Sequence, residues 1–329
     1  MNQSAAERPD PSSQRKAAIA RGAALEHTGK VQVKPIPSFD LSRTIFRTLE
    51  GKVTRFLLAS RVGKEVHWDA ASAQAVQSEY EAARAAHPLP EVSPELLQFL
   101  VRECDFDVEH ADGSFLDHLY FCFEYGVQHY PGQSPLVMLL HSILGTGTNT
   151  FAMRAEKIPA LRTLVAPSEW VQIEAFPSVL RLLYAGELRS ELRENLHRAD
   201  ALASISFHRV IDNEPITMSG EQFWVALNYQ LIHLVDFLPA ANWSVYQNDP
   251  MFTLFNDLYD LLGKACKREA SVAYTPVTHP RKLEGELQSL GGWLTTLIPS
   301  KVAERATAKS VSRFSERIGH SLGYQIAWT

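Results

Sequence analysis

The chain has 329 residues, is 45% hydrophobic and carries a net charge of −5 at pH 7. That is enough apolar material for a large core, in one globular body or two helical subdomains, and no apolar run reaches the length of a membrane span. Three scattered cysteines, Cys104, Cys122 and Cys266, with no CxxC pair, argue against a zinc–thiolate site and point to a reducing compartment, the cytoplasm. Each end carries a surplus of three positive charges over residues 1–38 and 301–329, so the middle stands near −11. Nothing in that balance suggests general nucleic-acid binding by the body of the protein.

Residues 1–38, rich in Ser, Ala, Pro and Arg, lack hydrophobic periodicity and read as a disordered arm. Arg8, Arg15 and Arg21 leave organelle targeting open, while Glu7, Asp10 and the lack of an amphipathic face speak for a plain flexible arm. Ser42 opens a helix expected over 43–60, and an Ala-rich helix follows over 70–86. Ser93 caps a third, with Pro94 at its first position and Glu95 in the first turn, where a negative charge suits the helix dipole.

The stretch from Glu109 to Phe151 holds four of the twelve histidines. A helix is expected from about Ser114 to Tyr130, stopped by Pro131-Gly132. Phe115, His118, Cys122, Tyr125 and His129 share one of its faces, and Leu116, Leu119, Phe123 and Val127 form a second, apolar stripe. A second helix, capped by Ser134, runs from Leu136 to Leu144 and stops at Gly145. It is apolar at every position but His141 and Ser142, and a helix apolar all round is buried. His141 must therefore hydrogen-bond in the core or bind something.

The pattern of His110, Phe115-Leu116-Asp117-His118-Leu119 and Leu140-His141-Ser142-Ile143-Leu144-Gly145-Thr146 resembles a helical family related to the HD-domain superfamily, over roughly residues 105 to 240. Most members of that superfamily are metal-dependent phosphohydrolases and a minority are di-iron oxygenases. The resemblance implies His118 as first metal ligand and His141 as second. The Asp of the His-Asp pair is Ser142 here, and a neutral hydroxyl is a poor ligand for a hard cation. One ion held by two His and a carboxylate then fits better than two. Two antiparallel helices about Gly132 would set His141 level with about Glu124, some 9 Å along the axis from His118. A pair of core histidines bonded to backbone or carboxylate is the competing reading.

Gly145-Thr-Gly-Thr-Asn149 lacks the Lys and the following helix of a phosphate loop and reads as a turn or hinge. From Glu156 to Arg198 short helices are expected, broken at Pro159, Pro167, Pro177 and Gly186, with Arg189, Arg193, Glu187, Glu191 and Glu194 on an ion-paired, solvated face. Ser204 to Met218 has strand character about the turn Asp212-Asn213-Glu214-Pro215, a small hairpin or extended loop, with His208 and Asp212 four apart.

Ser219 and Gln222 form a capping box for a helix from Gly220 to Leu238. His233 and Asp236 fall on one face of it. The resemblance puts its distant polar ligand on this helix, making Asp236 the carboxylate candidate and His233 an additional or outer ligand. A His–Asp pair linking helices is the alternative. A further helix from Asp249-Pro250 to Gly263 lies beside an aromatic cluster, Trp243, Tyr246, Phe252, Phe255 and Tyr259, read as core. Last, Lys301, Arg305, Lys309, Arg313 and Arg317 recur every fourth residue, opposite Val302, Val311, Phe314, Ile318 and Leu322. This is either a solvated helix face or a dock for an anionic partner.

The expected fold is mostly α, with an arm at 1–38, an HD-like helical core over 39–265, and a helical extension with the basic stripe over 266–329. Two functions compete. One is a metal-dependent enzyme, a hydrolase of phosphoesters or an iron-dependent oxygenase, acting on a small molecule. It would use a divalent metal (Fe, Mn or Zn) at His118, His141 and Asp236, with His110 and His233 supporting and His141 and Asp236 catalytic. The other is a non-catalytic helical partner-binding protein that has lost the metal.

Overall fold

The computed structural model describes residues 23–26, 30–33, 82, 85–104, 109–110, 113–145, 153–237, 250–272 and 297–329. The helix expected over 43–60, most of that over 70–86, and the Gly-Thr loop after Gly145 lie outside them. Helices dominate, as the apolar periodicity requires.

Two short strands, β1 (Ala23–Glu26) and β2 (Lys30–Val33), pair antiparallel within the segment read as an arm. Helix α1 (Pro94–Glu103) begins as its signals dictate: the Ser93 hydroxyl accepts from Leu96 N at 3.1 Å, and Leu96, Phe99 and Leu100 are buried. A two-residue hairpin, β3 (Glu109–His110) with β4 (Gly113–Ser114), leads into α2 (Phe115–His129). Helix α3 (Leu136–Leu140) folds back over α2 where it carries no side chain. A Cβ on Gly126 would lie 3.4 Å from Met138 and 3.6 Å from Pro135.

After α4 (Ile158–Arg162) comes α5 (Pro167–Ala185), one helix of 19 residues. The break expected at Pro177 does not occur. Proline removes one backbone N–H and crowds the preceding turn, but from Ala175 to Leu183 every residue of α5 is buried. At about 1.5–3 kcal/mol for each large apolar side chain, that burial outweighs one lost bond. Gly186, at φ 93°, ends the helix and starts α6 (Glu187–Glu194).

The expected hairpin is present as β5 (Leu202–His208) and β6 (Pro215–Ser219), paired from Ser204↔Ser219 to His208↔Pro215. Its capping box leads into α7 (Gly220–Phe237): Ser219 Oγ accepts from Gln222 N at 3.2 Å, and Ser219 N donates to Gln222 Oε1 at 2.9 Å. Helix α7 is the hub, packing on α2, α5, β5 and β6 and on α8 (Pro250–Lys264). Between Phe223 and Leu234 only Val225 is not buried. Helix α8 runs one residue beyond the expected stop at Gly263, and Cys266, at φ 56°, turns the chain.

The described part of the C-terminal segment packs on the helices before it. Helix α9 (Ser300–Ile318) packs on α5 and α8, and β7 (Gln325–Trp328) becomes the third strand of the sheet, on the other side of β5 from β6. No helix among the described residues is long and apolar enough to cross a membrane.

Candidate functional site

His141 is at the end of α3, not two-thirds along a longer helix. Residues 141–144 form a turn, and Gly145 takes φ 130°. The reason is local. His141 Nδ1 donates to the carbonyl of Met138 at 2.6 Å, so the side chain serves a carbonyl that the ending helix leaves open. A bond from Nδ1 to a carbonyl places the proton on Nδ1 and leaves Nε2 as the nitrogen able to accept or ligate.

Helix α7 brings His233 to this ring, with centroids 4.8 Å apart and planes at 65°. Phe176, in the middle of α5, closes a triangle: 4.7 Å from His141 and 5.3 Å from His233, edge to face with both. All three are buried, His141 completely. One turn before His233 on α7 is Gln230, whose Nε2 donates to the Phe176 carbonyl at 3.0 Å. That bond fixes the amide, and Gln230 Oε1 is left buried with no hydrogen-bond partner among the described residues. Ser142, beside His141, is buried as well.

This cluster unites two of the predicted site residues, His141 and His233, from helices 92 positions apart in sequence. The side chains of His118, Asp236 and His110 lie outside the described residues. Among the described residues no group of three His, Cys, Asp or Glu side chains comes together. Two imidazoles on one ion, each at a metal–nitrogen distance of about 2.1 Å, place their centroids roughly 5 Å apart. The observed separation of 4.8 Å lies in that range, as it does for two core rings packed edge to face. Other predicted residues are otherwise engaged. His129 Nδ1 meets Ser271 O at 3.1 Å while its ring stacks on Tyr125, and Asp212 is held by Arg209 in the β5–β6 turn. The Cys104 thiol is pushed up to about 12 by burial and by neighbouring Glu103, which removes it as a nucleophile.

Phe176 and Arg181 escaped the sequence reading, whereas Gln230, with Asn228 and Tyr229, stands out in it as a polar group on the otherwise apolar α7. Arg181 had a signal: it is the only cation in α5, set among Leu180, Leu182 and Leu183. It is completely buried, donates to Ser315 Oγ at 3.2 Å and lies 5.1 Å from the Phe314 ring, tying α5 to α9. Burial holds its pKa down to about 10.

The expected ion pairs of α6 reach between helices rather than along one. Arg189 donates to Asp257 at 2.6 Å and meets Glu304 at 3.3 Å. Arg193 bonds Asp257 and, at 3.0 Å, Asp260. Arg189, Arg193, Asp257 and Glu304 line a surface groove of about 940 Å³ where the α5–α6 turn meets α8 and α9. No family model, curated protein or solved structure gives a match to this chain.

Proposed function

We propose that this protein is a metal-dependent enzyme of the HD-like kind, acting on a small molecule through one divalent ion held at His141. The observation that carries this reading is the His141–His233 pair, with the Nδ1 proton of His141 committed to the Met138 carbonyl. Metal-ligating histidines are commonly oriented by such a bond from the other ring nitrogen. His118 and Asp236 would complete the ligand set, His110 would lie outside it, and Asp236 with His141 would face the substrate. A bound Fe, Mn or Zn would supply Lewis-acid chemistry toward a phosphoester, or, as iron, oxygen activation. Burial of His141, Phe176 and His233 excludes bulk water, and the Gln230 amide orients what enters. Ser142, in place of a carboxylate, reduces the negative charge available and favours one ion over two. The three free cysteines suit a reducing, cytoplasmic setting.

Metal analysis of the purified protein tests this, alongside melting with and without added Mn or Zn after chelation. Binding to the native state alone raises stability by about 2.7 kcal/mol at a hundred times Kd. The expected result is near-stoichiometric metal and a raised Tm, both lost in His141→Ala and His233→Gln variants that keep their helical circular dichroism. Absence of metal from wild-type protein, or full occupancy in both variants, overturns the reading.

A second reading is favoured by Ser142 and by the edge-to-face packing of Phe176 between the two rings. In it the chain is a non-catalytic scaffold, the histidines are core hydrogen-bonding groups, and α9 docks an anionic partner through its basic stripe.

A further inference from the structure

All five stripe residues, Lys301, Arg305, Lys309, Arg313 and Arg317, are exposed. Successive members are turned by about 40° and raised by about 6 Å, so they sweep the outer arc of α9 over roughly 24 Å. Nine residues of the helix are exposed, and Glu316 is the one carboxylate among them, leaving a surplus of four positive charges on this face. The other acid of the helix, Glu304, is turned away to Arg189. The inner face, through Val311 and Ser315, is packed on the body and held by Arg181. The helix therefore presents its cations from a rigid support.

The large hydrophobic side chains most exposed among the described residues are Leu297 (61%), three residues before this helix, and Val302 (51%), in its first turn. Val302, expected on the apolar side of the helix, is exposed instead and falls near the middle of the cationic arc. Apolar side chains standing beside a row of cations match the boundary between headgroups and acyl chains. A phosphodiester backbone has no use for them, and the outer arc offers no aromatic ring for bases to stack on.

We propose that α9 docks this protein on an anionic lipid surface, with its cations among the headgroups and Leu297 and Val302 dipping below them. This rests on the reading of the stripe as a binding face and names its occupant. It is independent of the histidine cluster.

The test is co-sedimentation of the full-length protein with phosphatidylcholine vesicles, with and without phosphatidylserine, at low and high salt. Binding is expected to need phosphatidylserine and to weaken with salt as charges are screened. At about fivefold per cation near such a surface, the double variant Lys309→Gln/Arg313→Gln should bind about 25-fold more weakly. Leu297→Asp should also weaken it while leaving the salt dependence in place. These exposed positions leave the core intact, which circular dichroism and Tm check. Equal binding to neutral vesicles, or unchanged affinity in the double variant, overturns the proposal. Tighter binding to a duplex or single-stranded oligonucleotide, without vesicle binding, keeps the stripe as an anionic dock and overturns the lipid surface. No binding to either overturns both.

Discussion

Replacing His320 with glutamine removes a titrating ring from a place where the folded protein resists protonation. His320 follows the end of α9 and is 5% exposed. Its Nε2 donates to the His208 carbonyl at 3.0 Å, and Ser315 Oγ lies 3.5 Å from Nδ1. Burial lowers its pKa to about 4, opposed by the bond to His208 and reinforced by the charges of Arg181 on α5 and of His208 on β5. Above pH 6.5 both folded and unfolded chains hold the ring neutral, and the full stability is present. Between 6.5 and about 4 the unfolded chain takes the proton first, so stability falls as pH falls. A tenfold change in proton affinity is worth about 1.4 kcal/mol, so the upper bound is about 3 kcal/mol. Relaxation of the surroundings and entry of water on protonation bring this down to about half. Glutamine keeps an N–H donor for the His208 carbonyl and does not titrate. Urea unfolding of wild type and His320→Gln at pH 7, 5.5 and 4 should show the wild type losing about 1.5 kcal/mol more than the variant across that range. Parallel losses in the two proteins would refute the reasoning.

Gly220→Ala should cost about 2–3 kcal/mol, the range for forcing atoms into a packed interior, because a Cβ there would lie 1.8 Å from the Leu202 carbonyl oxygen. Gly126→Ala meets nothing closer than 3.4 Å and should stay within about 1 kcal/mol of wild type, helped by alanine's helix propensity; urea midpoints read both. Asn228 of α7 accepts from Glu269 N and Ala270 N and donates to Trp224 O and Lys267 O. Asn228→Ala should cost about 2–4 kcal/mol through the stranded groups, and amide exchange at Glu269 and Ala270 should accelerate more than at the centre of α5.

Local signals survived folding where their partners are close in sequence. Ser93 and the Ser219–Gln222 box act within three residues of themselves, and tertiary packing has no reason to undo a bond that satisfies an otherwise orphaned N–H. The β5–β6 hairpin was legible for the same reason, its turn and pairing being adjacent. His141 and His233 could each be singled out as polar positions on apolar helices. Their meeting could not be read from spacing, because it depends on how α3 and α7 pack against α5, with Phe176 between them. The resemblance sets His118 beside His141 and makes His233 an additional or outer ligand; the side chain of His118 lies outside the described residues.

The amino-acid order alone determined a mostly helical chain, the starts of α1, α2, α7 and α8, the basic face of α9 and the histidines in need of partners. These follow from periodicity and capping, which operate over one or two turns. Only the tertiary structure decided that Pro177 stays inside a continuous helix, that Gly220 must lack a side chain, that Arg181 ties α5 to α9, and that the last strand completes the sheet. Each of those outcomes turns on atoms brought together from distant parts of the chain, where burial and close approach outweigh local preference.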